Sequence, residues 1–211
     1  MNDPSTNDQA TNDPGSHYFD QEPSSVSEER RIEVTLPDVS FPLLTDRGVF
    51  SHGRVDTGTN LLLRVAPPPA PEGDLLDLGC GAGPIALTMA ARAPGATVWA
   101  VDVNARARAL CARNAAALGH EHVRVAAPDE VPAAVRFATI WSNPPIRIGK
   151  TALHELLHTW LGRLAPDGSA VLVVQRHLGA DSLRRWLTAE VAPTEQVASR
   201  AGYRVLQIRP A

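Results

Sequence analysis

The chain has 211 residues, 44% of them hydrophobic, enough to bury one full core, so a single domain is the expectation. No apolar run approaches the roughly 20 residues that cross a bilayer, and the Asn/Asp/Pro-rich start lacks the apolar stretch of a secretory signal. The net charge of −3 hides a division: residues 1–30 hold seven acids and one base, which leaves a mildly basic body of +3, compatible with a nucleic-acid partner without requiring one.

Residues 1–16 are dominated by Asn, Asp, Ser, Thr and Pro and read as a disordered acidic tail; Asn2-Asp3-Pro4 recurs as Asn12-Asp13-Pro14, which is low complexity. Residues 32–36 alternate as a strand does. Asp46-Arg47-Gly48 reads as a turn before Val49-Phe50. Asp56 can cap a helix through Leu61, Leu62, Leu63 and Val65, which must end before the prolines at 67–69. Strands are then predicted at 75–78, 97–101, 123–126, 137–141, 170–175 and 195–199, with helices at 84–92, 104–118, 150–164 and 181–190. The helix from 150 is expected to stop at Pro166-Asp167-Gly168, and a turn at Gly202 leads into a last strand from Tyr203 to Ile208. Strands alternating with helices define an α/β fold with a doubly wound, mostly parallel sheet of about seven strands, and the closing β-turn-β makes the last strand antiparallel.

Two segments carry chemistry. Asp77-Leu78-Gly79-Cys80-Gly81-Ala82-Gly83 closes one strand and opens an Ala-rich helix, a turn in which glycines let a ligand approach the backbone. Asn143-Pro144-Pro145-Ile146 closes another strand, and its prolines donate no N–H, so their carbonyls are free to accept. In such sheets ligands lie beyond the carboxyl ends of the strands, and the glycine loop, Asp102, Asp129 and Asn143 all follow strand ends. The spacing G-x-G-x-G departs from the dinucleotide fingerprint G-x-G-x-x-G. Asp77 suits an ammonium-bearing ligand better than a pyrophosphate, and Asp102 suits the hydroxyls of a ribose. Together these favour S-adenosylmethionine over NAD; the bland alternative is a tight βα turn that binds nothing.

The segment 77–83 resembles the first motif of class I S-adenosylmethionine-dependent methyltransferases, and Val101-Asp102-Val103-Asn104 their second. Asn143-Pro144-Pro145-Ile146 resembles the Asn-Pro-Pro-aromatic motif of the branch that methylates planar or amide nitrogens. Gly48-Val49-Phe50-Ser51, Asp56-Thr57-Gly58-Thr59, Ser142 and Gly149-Lys150 resemble the methyltransferase small domain, found in bacterial small-subunit ribosomal RNA guanine-N2 methyltransferases and their single-domain relatives. His17-Tyr18-Phe19 is similar to the opening of those relatives, so the resemblance spans about 17–211, with residues 30–66 as an N-terminal strand and helix extension. It implies a Rossmann-like methyltransferase in which Asp77, Gly79, Cys80, Gly81 and Gly83 serve the methionine end of the donor, Asp102 and Val103 the ribose side, and Asp129 the adenine amino group. Asn143 and Pro144 would accept the two N–H groups of the target amine, with Pro145 and Ile146 completing the ledge. The family's aromatic residue is replaced by Ile146, which leaves stacking on the target base to Phe50, Trp141 or the RNA itself.

His154-Glu155-Leu156-Leu157-His158 fits H-E-x-x-H on a predicted helix, the pattern of zinc proteases. No third histidine follows at the metzincin spacing, so the expectation is a helix face without metal. Cys80 and Cys111, the only cysteines, have no metal-ligand spacing and read as reduced thiols of a cytoplasmic protein. The reading is a cytoplasmic methyltransferase acting on guanine N2 of small-subunit ribosomal RNA, with ribosomal RNA or the small ribosomal subunit as partner and no membrane or metal. Adenine N6 and a protein glutamine amide present the same planar N–H₂ and are the alternatives within the enzyme class. A non-catalytic RNA- or ribosome-binding module is the alternative from another class.

Overall fold

The computed structural model describes residues 27–49 and 53–210. The expected tail over 1–16, the 17–19 segment and Phe50 lie outside the described residues.

The chain enters through a two-stranded antiparallel ribbon, β1 (Glu29–Thr35) and β2 (Ser40–Asp46), registered from Glu29↔Asp46 to Thr35↔Ser40. β2 has no counterpart in the sequence reading, because Pro42 breaks the strand signal. A proline is tolerated where a strand has a free edge, and here Phe41 and Leu43 on either side of Pro42 are buried. Asp56 then caps α1 (Thr57–Val65), accepting from the backbone N–H of Gly58 at 2.8 Å and Thr59 at 3.1 Å.

Seven strands follow in the order β5-β4-β3-β6-β7-β9-β8. They are β3 (Asp74–Leu78), β4 (Thr97–Val101), β5 (Val123–Ala126), β6 (Phe137–Ser142), β7 (Leu164–Gln175), β8 (Thr194–Arg200) and β9 (Tyr203–Ile208). The pairs among β3 to β7 are parallel, and β9 runs antiparallel to both β7 and β8. The connecting helices are α2 (Pro84–Arg92), α3 (Ala105–Ala117), α4 (Lys150–Leu161) and α5 (Ala180–Glu190).

Strand side chains alternate between two cores, as the period of two requires. Leu75, Val98, Ala100, Trp141, Val171 and Val173 join α1, α2, α3 and the β1–β2 ribbon on one face. Leu76, Trp99, Ile140, Leu172 and Val174 join Leu157 and Trp160 of α4 and Leu183 and Leu187 of α5 on the other. Asp77 belongs by this alternation to the α2 face, which is how a carboxylate comes to be buried at the helix start.

α4 corrects the sequence reading: it ends at Leu161, not near 164. Gly162 terminates it, and β7 already begins at Leu164, with Pro166-Asp167-Gly168 carried in an irregularity between the Phe137↔Leu164 and Thr139↔Ser169 pairs. The proline that looked like a helix stop is a strand bulge, a position where its missing N–H costs no ladder bond.

Candidate active site

Five strand ends and the start of α1 enclose a cavity of about 530 Å³. Its wall takes Leu78 and Gly79 from the end of β3, Asp102 and Val103 from β4, and Pro128 after β5. Asn143, Pro144, Pro145, Ile146 and Arg147 follow β6, Gln175 and Leu178 follow β7, Tyr203 opens β9, and Leu156 and Trp160 come from α4. A narrower cleft, shared through Arg54, Asp56, Gly79 and Asn143, runs between the glycine loop and α1, past Cys80, Gly81, Ala82 and Thr59.

The glycine loop forms because β3 ends against α2 in a left-handed step. Gly79 has φ 78°, and a Cβ built there meets nothing within 4 Å, so the loop leaves open space where a side chain would otherwise stand. Gly83 serves packing instead: it caps α2, and a Cβ on it would approach the Cys111 sulfur at 2.6 Å. Cys80 is buried, and its thiol is pushed well above the usual range by its hydrogen-bonded neighbour Cys111 and by burial. The Cys80 thiol is therefore no nucleophile in that setting.

Asp77 is fully buried. One carboxylate oxygen, Oδ2, accepts from the Ala86 backbone N–H at 2.9 Å, while Oδ1 has no hydrogen-bond partner. Burial pushes its pKa up to about 8. Asp77 lines neither the cavity nor the cleft, so its unpartnered Oδ1 lies behind the glycine loop. A cation or N–H group brought in through that loop would partner it, and the methionine end of S-adenosylmethionine carries an ammonium.

Asp102 holds the loop from the other side. Its Oδ2 accepts from Gly81 N at 2.9 Å and its Oδ1 from Asn104 N at 2.9 Å, while burial raises its pKa against these bonds. Each oxygen retains a second lone pair, which suits a ribose diol in the cavity that Asp102 lines. Val103, 44% exposed, presents an apolar surface to the same space. Asp129 is exposed on the short 3-10 turn Pro128–Glu130, and its neighbour Pro128 is the residue on the cavity wall.

Asn143 is oriented by residues that sequence motifs had not linked to it. Its Nδ2 donates to Asp56 Oδ2 at 3.0 Å and to Thr59 Oγ1 at 3.0 Å. A carboxylate can only accept, so the nitrogen must face Asp56 and the amide oxygen is left available. Behind it, Gln175 Nε2 donates to Tyr203 Oη at 2.8 Å, and Tyr203 Oη lies 3.5 Å from Asp56 Oδ1. Gly58 permits this arrangement, since a Cβ there would stand 2.6 Å from the Tyr203 ring. The sequence reading found Asp56 as a helix cap; that the capping oxygen Oδ2 also accepts from Asn143 has no local sequence signal.

Ile146 and Arg147 line the cavity, whereas Trp141 is 1% exposed and packed in the core, so it offers no face to a base. Trp141 sits opposite Asp77 across the β3–β6 pair, on the α2 side of the sheet. In the H-E-x-x-H segment the His154 ring stacks on Trp186, with centroids 3.7 Å apart, and His158 is exposed. Among the described residues no cluster of three potential metal ligands occurs, and no helix is long and apolar enough to cross a membrane.

A seven-stranded sheet of this order, with a glycine loop after β3, an acid after β4 and Asn-Pro-Pro after β6, is the Rossmann-like fold of a methyltransferase. The chain belongs to the methyltransferase small domain family, whose model matches residues 40–207. It is 34% identical over 196 residues to the uncharacterized protein YbxB of Bacillus subtilis, covering 92% of this chain and 98% of that one. It is 33% identical over 180 residues to ribosomal RNA small subunit methyltransferase C of Aeromonas hydrophila, covering 83% of this chain and 51% of the relative. The chain thus spans about half the length of that methyltransferase. In fold it is similar to the T. thermophilus 16S rRNA N2 G1207 methyltransferase (RsmC) in complex with AdoMet and guanosine, with TM-score 0.72, 24% identity, and coverage of 87% of this chain and 51% of that one.

Proposed function

We propose that this chain is a cytoplasmic enzyme that transfers a methyl group to the exocyclic N2 amine of a guanine in small-subunit ribosomal RNA. The observation that carries this reading is the orientation of Asn143: with its amide protons held by Asp56 and Thr59, its Oδ1 is the group left to meet a substrate. Beside it, Pro144 lines the same cavity wall, and its carbonyl is assigned as the second acceptor. Two acceptors side by side suit an N–H₂ on a planar centre. They hold both of its hydrogens and turn its lone pair out of conjugation, toward the glycine loop.

When bound, S-adenosylmethionine supplies a methyl group already activated by its positively charged sulfur. The chain's own contribution is then positioning and acceptor electrostatics rather than strong base catalysis. Asp77 Oδ1 takes the ammonium, Gly79 and Gly81 leave room for the methionine end, and Asp102 takes the ribose, with Val103 alongside it. Arg54, which borders both clefts, is assigned the donor's carboxylate. Asp129, one residue past the cavity-lining Pro128, is assigned the adenine amino group. The whole of 17–211 acts as one methyltransferase domain, with the extension at about 30–66 supplying Arg54, Asp56 and Thr59.

The names of the relatives support a ribosomal target. Incubating the protein with labelled methyl donor and unmethylated small subunits, followed by nucleoside digestion, tests it. N2-methylguanosine is the expected product; N6-methyladenosine, or label in ribosomal protein, would redirect the assignment.

A further inference from the structure

Two turns and a hairpin tip share the edge beyond the carboxyl ends of β6, β7 and β8. Arg147 lies in the 3-10 turn Ile146–Ile148, and Lys150 opens α4 immediately after it. Arg176 opens the turn Arg176–Leu178 after β7. Arg200 ends β8, paired with Tyr203, which is itself paired with Gln175 at the end of β7. The Arg176 backbone N–H donates to the Gly202 carbonyl at 2.8 Å, so the hairpin tip and the β7 turn form one surface. Ala201 at φ 51° and Gly202 at φ 80° make that tip a tight turn of positive-φ residues, the kind that matches strand twist.

These four side chains are exposed, and among the described residues none of them takes part in an ion pair. Segments 143–151 and 175–180 contain no Asp or Glu; of the acids that next follow them, Asp181 is paired with Arg204 and Glu155 stands exposed on α4. On the far flank, beyond β4 and β5, stand Asp102, Asp129 and Glu130. Strand order separates the two groups, so this edge of the sheet has an acidic flank beside Asp102 and a basic flank beyond the Asn143 ledge, where Arg147 also lines the cavity. Unpaired arginines at a cavity rim match the geometry of phosphate oxygens. The charge division also gives a direction: a polyanion is attracted to the basic flank and repelled from the acidic one.

We propose that Arg147, Lys150, Arg176 and Arg200 form a phosphate-binding rim that docks the sugar–phosphate backbone of RNA, leaving one base to reach the Asn143 ledge. This rests on the reading that the target is a base in RNA. The test titrates full-length protein with a mixed-sequence RNA hairpin and with small ribosomal subunits across a range of salt, beside the double variant Arg176→Gln/Arg200→Gln. Arg136→Gln/Arg209→Gln, two exposed arginines at the opposite edge of the sheet, is the control. Binding of S-adenosylhomocysteine to each variant verifies the fold.

Loss of two phosphate contacts should weaken RNA binding about tenfold or more and lower the log–log salt slope by about 1.4 if they lie on the loop and about 1.8 if on the stem. The control and the S-adenosylhomocysteine affinity should not move. RNA affinity and slope unchanged in the rim variant would overturn the rim and leave the RNA reading standing. A wild-type protein that binds S-adenosylhomocysteine but neither RNA nor subunits would overturn both.

Discussion

Asp56 and Asn143 lie 87 positions apart and meet at 3.0 Å, where the carboxylate that caps α1 also fixes the amide at the end of β6. One residue therefore joins the stability of a helix to the orientation of the acceptor ledge.

Replacing Asn143 by Ala should abolish methyl transfer while leaving S-adenosylhomocysteine affinity close to wild type, measured by calorimetry and labelled-methyl incorporation. Asp56→Ala should do both kinds of damage. Loss of the cap costs about 1 kcal/mol of stability, and methyl transfer should fall roughly 10- to 100-fold as the freed amide loses its alignment. Asp56→Asn can still cap α1 and accept from Asn143, so it should restore most of the stability. Equal activity in Asp56→Ala and wild type would show that Asn143 needs no such anchor.

The buried Asp77 makes the free protein sensitive to pH. Its carboxyl titrates near 3.8 in the unfolded chain and is pushed up to about 8 in the fold, so between these values the folded state holds a proton that the unfolded state has lost. Its contribution to stability is therefore lost as pH rises through that window. Urea denaturation at pH 6 and pH 8 should show this decline in wild type and a flatter response in Asp77→Asn. An ammonium at Oδ1 favours the ionised form, so S-adenosylhomocysteine should bind more tightly as pH approaches 8, releasing a proton. Calorimetry in buffers of different ionisation enthalpy reads that proton directly, and Asp77→Asn should lose it.

Arg54 borders the narrow cleft beside the glycine loop as well as the main cavity. If it faces the donor's carboxylate, Arg54→Gln should weaken S-adenosylhomocysteine roughly tenfold, the range of a charge-assisted hydrogen bond. Binding of methylthioadenosine, which has no carboxylate, should be unaffected. An equal loss for both ligands would place Arg54 elsewhere.

The sheet and its ligand edge were legible in the sequence because residues 79–83, 102–103 and 143–146 follow short, largely apolar segments that form β3, β4 and β6. Contacts that join distant segments were not. Asp56 reads locally as a helix cap, and nothing in residues 54–59 announces Asn143 or Tyr203. β2 was hidden by Pro42, which a two-stranded ribbon with a free edge accepts. The end of α4 was misplaced because Gly162 stops the helix before Pro166 can. Trp141, a core residue by default and only secondarily a stacking surface, is packed in the core across from Asp77. Asp129 follows a strand end as expected, yet the short turn that starts at Pro128 turns its side chain to solvent.

The most direct measurement is calorimetric titration of the protein with S-adenosylmethionine, side by side with Asp102→Ala, whose carboxylate fixes both Gly81 and Asn104 at 2.9 Å. Binding of about micromolar strength in wild type, lost or weakened about 100-fold in the variant, is the predicted result, since two charged hydrogen bonds and the ribose contact disappear together. Wild-type protein that binds no S-adenosylmethionine at millimolar concentration, or a variant that binds as tightly as wild type, would contradict the account.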